Sequence, residues 1–463
     1  MKKVIFPGLA FLLFFSSIPD KKEVEITLDI QSFDPQLLNI FETVGEPIWP
    51  DHQKKVDGKI VITYPIDKPT IRSFRYGKTL KRIFLQPGQS LSISIDPTDN
   101  TGAFRYGGSL ATENRIMDSI VSRIDKVDHK YLNAQEPDIA FVYIDSFQSA
   151  NDQFFKQLAK GKQTSAVFND FVKASILYYS ACLKIRVLER QKAVKDPARY
   201  GFLKDLVIEK DQYIDIPFYQ WFLYEYLMKE TTRRVEKLDA TEKLVPDAQL
   251  DESLKVVSGM TNPAVRDYLL AAVTESRLLD NGLKGFDKYY DHFKEHNSNP
   301  AYLSGIRKAY ERKLQLAPGK PAPQFTLSDV DGNKFSLKDF KGKYVLLDFW
   351  QTLCPRSARE MPHYLKLYAE YKDKDIVFVS ISVNEDENVW RTFVKESRNA
   401  GVSLRAENSF YSKVYQDYQV PGLPFFIIVD PEGNILDQAA PKPSSKEIRG
   451  TLDQLLKSEV IVQ

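Results

Sequence analysis

At 463 residues the chain is too long for one ordinary domain, and domains of about 100 to 200 residues imply two to four of them. A composition that is 43% hydrophobic and 12% aromatic, with only 21 glycines, supplies apolar surface for several cores and argues against long disordered tracts. Lys plus Arg at 64 nearly cancels Asp plus Glu at 62, so there is no basic field to draw the protein onto nucleic acid, and none is expected as a partner.

Residues 1–20 read as an export signal: Lys2 and Lys3 form a positive start, Val4 to Phe15 is a nearly unbroken apolar run, and Ser16 and Ser17 follow. Twelve residues at about 1.5 Å each reach about 18 Å as a helix, short of the roughly 30 Å hydrocarbon core. No transmembrane span is therefore expected in the mature chain, which should begin near residues 17 to 24 and reach the periplasm or cell envelope. No cysteine near the end of the run offers a lipid attachment point. The cysteines are Cys182 and Cys354 alone, and a lone cysteine inside a local pattern in an exported protein points to reactivity.

Residues 21–110 carry β signals. Lys59 to Tyr64, Ile71 to Arg75, Ile83 to Leu85 and Leu91 to Ile95 alternate roughly, and Asp57-Gly58, Gln86-Pro87-Gly88 and Asp96-Pro97 break them, as in a small antiparallel domain. Across residues 111–315 glycine becomes rare, and apolar residues recur at three and four, as in Phe168, Phe171, Val172, Ile176, Tyr179 and Leu183. That is a helical array, with helix starts at Asn262-Pro263 and Asn299-Pro300. Ala317-Pro318-Gly319-Lys320-Pro321-Ala322-Pro323 breaks helix and sheet alike, and sets the last domain at 316–463.

Within that domain Asp331-Gly332 marks a hairpin between Gln324 to Ser328 and Lys334 to Leu337. Tyr344 to Trp350 is an apolar strand interrupted by Asp348. Met361, Tyr364, Leu365, Tyr368 and Tyr371 then repeat at helical spacing. A second strand (Ile376 to Val383), a second helix (Val389 to Ser397), a hairpin around Asp430-Pro431-Glu432-Gly433 and a last helix (Ser445 to Leu456) predict a mixed sheet covered on both faces.

The first strand-to-helix junction reads Phe349-Trp350-Gln351-Thr352-Leu353-Cys354-Pro355-Arg356-Ser357-Ala358-Arg359-Glu360-Met361-Pro362. A cysteine there sits among backbone N–H groups with no partner inside the helix, and their dipoles favour a thiolate. Asp348 lies six residues earlier in an apolar strand, where burial would raise its pKa and let it hold a proton.

This junction resembles the motif of the TlpA/ResA family of thiol-disulfide oxidoreductases, in which Phe-Trp leads into Cys-x-x-Cys and Glu-x-Pro. Phe349, Trp350, Thr352, Cys354, Glu360, Met361 and Pro362 fit. Leu353 replaces the usual tryptophan, and Ser357 replaces the second cysteine. Val420-Pro421-Gly422-Leu423-Pro424 matches the family's cis-proline loop, and the run Phe84 to Ser90 with Phe104 to Asn114 resembles the β-rich domain that precedes the thioredoxin domain in many Bacteroidetes TlpA-like proteins. The resemblance implies a multidomain α+β protein: a small N-terminal antiparallel β domain, a central helical array and a C-terminal α/β thioredoxin fold. It implies a site with Cys354, Ser357, Asp348 and Glu360 as catalytic residues and with Trp350, Pro355, Leu423 and Pro424 against the substrate.

Ser357 cannot break a mixed disulfide as a second thiolate would. The expected chemistry is therefore monothiol exchange, reduction or isomerisation of protein or peptide disulfides in the envelope, with an upstream reductant as a further partner and no cofactor or metal. The alternative is a binding protein of the cell envelope whose thioredoxin fold has lost turnover. Cys182 reads as core. His292-Phe293-Lys294-Glu295-His296 has the spacing of some metal sites but no evident third ligand. A peroxiredoxin reading fails, because that family's proline and threonine fall on Leu346 or Leu347 and on Gln351.

Overall fold

The structure is a computed structural model that describes residues 23–30, 38–41, 47–48, 53–76, 79–95, 104–190, 197–242, 247–383, 386–396, 401–407 and 412–458. The export signal at 1–20 lies outside them. The chain separates into two compact units, Met1–Leu269 and Leu270–Gln463.

The first unit opens with strands β1 (Glu23–Ile30), β2 (Leu38–Phe41), β3 (Pro47–Ile48), β4 (Gln53–Val56), β5 (Lys59–Pro65), β6 (Thr70–Tyr76), β7 (Thr79–Leu85), β8 (Ser90–Ile95) and β9 (Phe104–Gly107). They form two sheets, in the orders β4-β5-β1-β8-β9 and β3-β2-β6-β7. Pairing is antiparallel except between β1 and β8, which run parallel from Glu25↔Ser90 to Ile30↔Ile95. The period-2 pattern explains one solvent-facing side: on β1, Val24, Ile26, Leu28 and Ile30 are buried and alternate with less buried residues.

Helices α1 (Ala111–Ile124), α2 (His129–Ala134), α3 (Pro137–Ala159), α4 (Ala166–Arg190), α5 (Pro217–Val235) and α6 (Ala248–Ser258) follow, and α7 (Pro263–Asn281) contains the division between the units. Asn114 of α1 clamps β7. Its side chain accepts from Phe84 N and donates to Phe84 O, each at 2.9 Å, so a buried strand edge is satisfied by one amide. Phe84 meets Phe168 and Phe171 of α4 edge-on, at 5.1 and 6.1 Å between ring centroids. α4 buries residues on nearly all sides, Cys182 among them.

The second unit continues with α8 (Asp287–His296) and α9 (Pro300–Leu314). Both asparagine–proline pairs start helices as expected: Asn262 Oδ1 accepts from Ala264 N and Val265 N, and Asn299 Oδ1 from Ala301 N and Tyr302 N. Then come β10 (Thr326–Ser328), β11 (Lys334–Ser336), β12 (Tyr344–Trp350), α10 (Pro355–Tyr371), β13 (Ile376–Ser382), α11 (Glu387–Glu396), β14 (Val402–Arg405), α12 (Lys413–Asp417), β15 (Phe425–Val429), β16 (Ile435–Asp437) and α13 (Glu447–Ser458). The sheet order is β11-β10-β14-β13-β12-β15-β16, with β12, β13 and β14 parallel and the remaining pairs antiparallel.

Central β12 is buried on both faces. Val345, Leu347 and Phe349 join a core with Leu404, Tyr418 and Ile427, while Leu346 joins the opposite core with Tyr364, Leu367, Phe378, Ile428, Ile448 and Leu452. A strand flanked by two cores reads as a continuous apolar run, which is how the sequence shows it. Truncating Leu347, fully buried, to alanine belongs to the class of changes that costs about 2 to 5 kcal/mol.

Candidate functional site

β12 ends at Trp350, and α10 begins at Pro355 with Cys354 as its N-cap (φ −83°, ψ 114°). Pro355 occupies the first helical position, where its missing N–H costs nothing and its φ suits the helix. The N–H groups of the first turn therefore point toward Cys354 with no intrahelical acceptor. Cys354 is partly buried, and its Sγ lies 3.7 Å from the carbonyl oxygen of Leu423, to which the thiol donates.

Leu423–Pro424 is a cis peptide. The loop expected to face the cysteine does so: Leu423 is buried and Pro424 half-buried beside it.

Opposing effects act on the Cys354 thiol. Burial pushes it up, and the Ser357 N–H, the Ser357 hydroxyl, the Arg356 N–H and the Arg356 guanidinium pull it down, leaving it below the ordinary thiol value. Ser357 is 2% exposed, with its hydroxyl facing the Cys354 sulfur. It is placed to donate to a thiolate. The other cysteine, Cys182, is buried in α4, where desolvation and then Glu225 hold its thiol well above the ordinary value. The partly buried Cys354 thiol is thus drawn down and the buried Cys182 thiol pushed up.

Asp348 projects from β12 to the face covered by α10 and is 2% exposed, with Oδ1 unpartnered. Burial first, and then the charge of Glu360, raise its carboxyl well above the usual carboxylate range. Glu360, six residues after Cys354, binds the loop before α13: its carboxylate accepts from Ser444 Oγ at 2.7 Å and from Ser444 N at 3.2 Å.

Trp350 sits in the core, 3% exposed, with Trp390 and Val394, its ring 5.0 Å from Phe393. It is a wall behind the site and offers no free face to a ligand. The side chain that does stand open is Leu353, 76% exposed immediately before Cys354. Pro355 is exposed beside it.

Two features are inconspicuous in the sequence. Tyr364 of α10 is buried next to Asp348: burial and then an ionised Asp348 raise its phenol well above the ordinary value. Lys313 near the end of α9 is 2% exposed, donates to Gln419 O at 3.2 Å and lies 5.7 Å from the centre of the Phe425 ring. Gln419, held at φ +48°, returns a bond from Nε2 to Arg312 O at 2.8 Å. The loop that carries Leu423 and Pro424 is thereby tied to α9. A phenol inside an apolar stripe and a lysine in a helix's last turn are the only signals, and neither is distinctive.

His292 and His296 stack on one another in α8 at 4.1 Å, and no group of three or more metal-ligating side chains occurs among the described residues. No helix among the described residues is long and apolar enough to cross a membrane.

A family model described as the AhpC/TSA family matches residues 318–438. The chain is similar to the thiol-disulfide oxidoreductase ResA of Bacillus anthracis, 31% identical over 147 residues that make up 32% of this chain and 82% of that protein. It is also similar to ResA of Halalkalibacterium halodurans, 35% identical over 126 residues, 27% of this chain and 69% of that protein. Among solved structures, it is similar to the thioredoxin domain of a thiol-disulfide oxidoreductase from Bacteroides vulgatus, 33% identical, covering 30% of this chain and 99% of that one with a TM-score of 0.28.

Proposed function

The chain belongs to the ResA family of thiol-disulfide oxidoreductases, and from that premise we propose that it works in the cell envelope as a monothiol enzyme whose one reactive sulfur is Cys354. The observation that carries this reading is the acidified Cys354 Sγ at the start of α10, facing the cis Leu423–Pro424 loop.

The steps follow from the groups present. A Cys354 thiolate attacks one sulfur of a substrate disulfide, forming the mixed disulfide and expelling the other substrate sulfur as a thiolate. The backbone of Leu423 offers strand-like pairing to the bound segment, and exposed Leu353 and Pro355 offer it apolar contact. Because position 357 is serine, the mixed disulfide is opened by an outside thiolate, from the substrate itself or from a separate reductant, and Cys354 leaves as the thiolate. The Ser357 hydroxyl and the first-turn N–H groups stabilise it in that form. Asp348 exchanges a proton with the Cys354 thiol between turnovers, and Glu360 holds the adjoining loop through Ser444.

Mass spectrometry after exposure to oxidised glutathione tests the proposal. Wild type should carry one stable adduct on Cys354, Cys354→Ser none, and Ser357→Cys should instead lose two hydrogens as a bridge forms between residues one helical turn apart. Absence of any wild-type adduct would sink the monothiol reading. The serine at 357 would then favour the second reading, a thioredoxin-fold binding protein in which the open Leu353 and Pro355 surface serves recognition alone.

A further inference from the structure

The layer between β12 and α10 concentrates buried polar atoms. Asp348 and Trp350 alternate along β12 with the side chains of the opposite core, so both lie on the sheet face that α10 and α11 cover, while Ser357, Met361 and Tyr364 recur at helical spacing on the inward face of α10. Asp348 Oδ1, Trp350 Nε1, Ser357 Oγ and the Tyr364 hydroxyl are buried, and none has a hydrogen-bond partner among the described residues. The Ser357 hydroxyl faces the Cys354 sulfur, and because native interiors leave only a few such atoms per hundred residues, the other three on one face of the sheet require a cause.

Their chemistry is complementary. An indole N–H only donates, a carboxylate only accepts, and the two hydroxyls do both. A buried water is held by two to four such groups and satisfies them at once. Within the group Asp348 acts electrostatically on Tyr364, and Leu346, two residues earlier on the same face of β12, packs in the core that Tyr364 joins.

We propose that Tyr364 is a positioning residue for Asp348, joined to its carboxyl through one buried water between β12 and α10. A phenol serves both states of its partner, because the O–H donates toward a carboxylate and the oxygen accepts from the proton of a carboxylic acid. The inference rests on the proton exchange assigned to Asp348 above: the thiol of Cys354 loses its proton and becomes a thiolate, the carboxylate of Asp348 gains it and becomes a carboxylic acid, and no sulfur changes oxidation state. When the proton returns, a bare carboxylate is left away from water in this buried layer, and Tyr364 supplies the donor it then needs. The other groups that face Asp348 do not replace it. Glu360 of α10 repels the carboxylate. Tyr368 lies one turn on, its ring against Phe378. Opposite Asp348, Ser380 of β13 spends its hydroxyl on Ser403, β15 presents Phe426, and α13 contributes Ile448 and Leu452.

Carbon-13 NMR titration of the Asp348 carboxyl in the full chain tests the assignment without any turnover. In Tyr364→Phe the midpoint should rise by about one unit, because the charged form loses a donor, and in Tyr368→Phe it should stay where it is in wild type. An unmoved midpoint in Tyr364→Phe, or equal shifts in both variants, overturns the proposal. An atomic-resolution crystal structure of wild type should show one water bonded to both Asp348 and Tyr364, and an empty, dry contact there overturns it independently of any variant. If the midpoint moves as expected while Asp348→Asn leaves the pH profile of glutathione exchange at Cys354 unchanged, the Tyr364–Asp348 link stands and the proton-exchange role of Asp348 falls.

Discussion

Asp348 stands between the apolar Leu347 and Phe349 in a buried strand, and the pH dependence of the fold should show what that placement does. Its carboxyl is raised in the folded state, so the unfolded chain releases the proton first as pH rises above about 4. Its contribution is therefore most favourable below that value and is lost progressively as pH climbs toward the folded-state pKa. Denaturant melts from pH 4 to 8 should show wild type losing stability relative to Asp348→Asn, and a constant difference across that range would contradict the assignment. Cys354 gives the matching prediction for sulfur: alkylation rates should reach their plateau with a midpoint below the free-thiol value of about 8.5, with Cys182 unlabelled. At this scale the sequence was informative where chemistry is local. Cys354, Ser357 and the Leu423–Pro424 pair can be read from short motifs, and so can Asp348, because a charge in an apolar run is conspicuous. Trp350 is read from the motif as a substrate contact but lies in the core, because its depth depends on Trp390 and Phe393, and Tyr364 is one tyrosine in a stripe of several.

α9 shows how an element outside the sheet bears on the site. Burial first, and the neighbouring Arg312 second, bring Lys313 down to about 8, and the ammonium is met by the Gln419 carbonyl and the face of Phe425. The sign follows from proton binding. Between about 8 and about 10.4 the unfolded chain holds a proton on this lysine that the folded chain has released, so stability gains as pH rises through that window, by on the order of 3 kcal/mol in total. Comparing wild type with Lys313→Met in urea at pH 7.5, 8.5 and 9.5 should show the wild type improving steadily against the variant. Parallel behaviour would mean that the ammonium is solvated. Helix starts and long strands were legible because asparagine–proline pairs and continuous apolar runs act locally. The four residues of β14 were not, since Val402–Arg405 carries little pattern and its entry depends on Gly401 at φ +82°, where a Cβ would lie 2.3 Å from Phe378 O. Only the assembled sheet reveals that constraint.

For the molecule as a whole, the strand and helix segments fall in the order that the composition shifts predict, while the second compact unit starts at Leu270 and takes in α8 and α9 ahead of the proline-rich segment. A fragment from residue 270 to 463 keeps Arg312 and Lys313 against Gln419, and one from residue 316 discards them. The longer fragment should therefore melt at the higher temperature, and equal melting would show that the α9 tie contributes nothing. Export belongs to this scale as well. Protein recovered from cells should be found in the envelope fraction with its N-terminus near residues 17 to 24, and full-length chain in the cytosol would refute that location. The serine at 357 has a practical corollary. In enzymes with two active-site sulfurs, the intermediate with a client is fleeting, and holding it requires deleting the second sulfur by mutagenesis. On the proposed monothiol reading, Ser357 makes the chain its own bait: harvested under thiol-blocking acid quench and run without reductant, it should migrate with its clients still attached, and migration of the free chain alone would count against that reading.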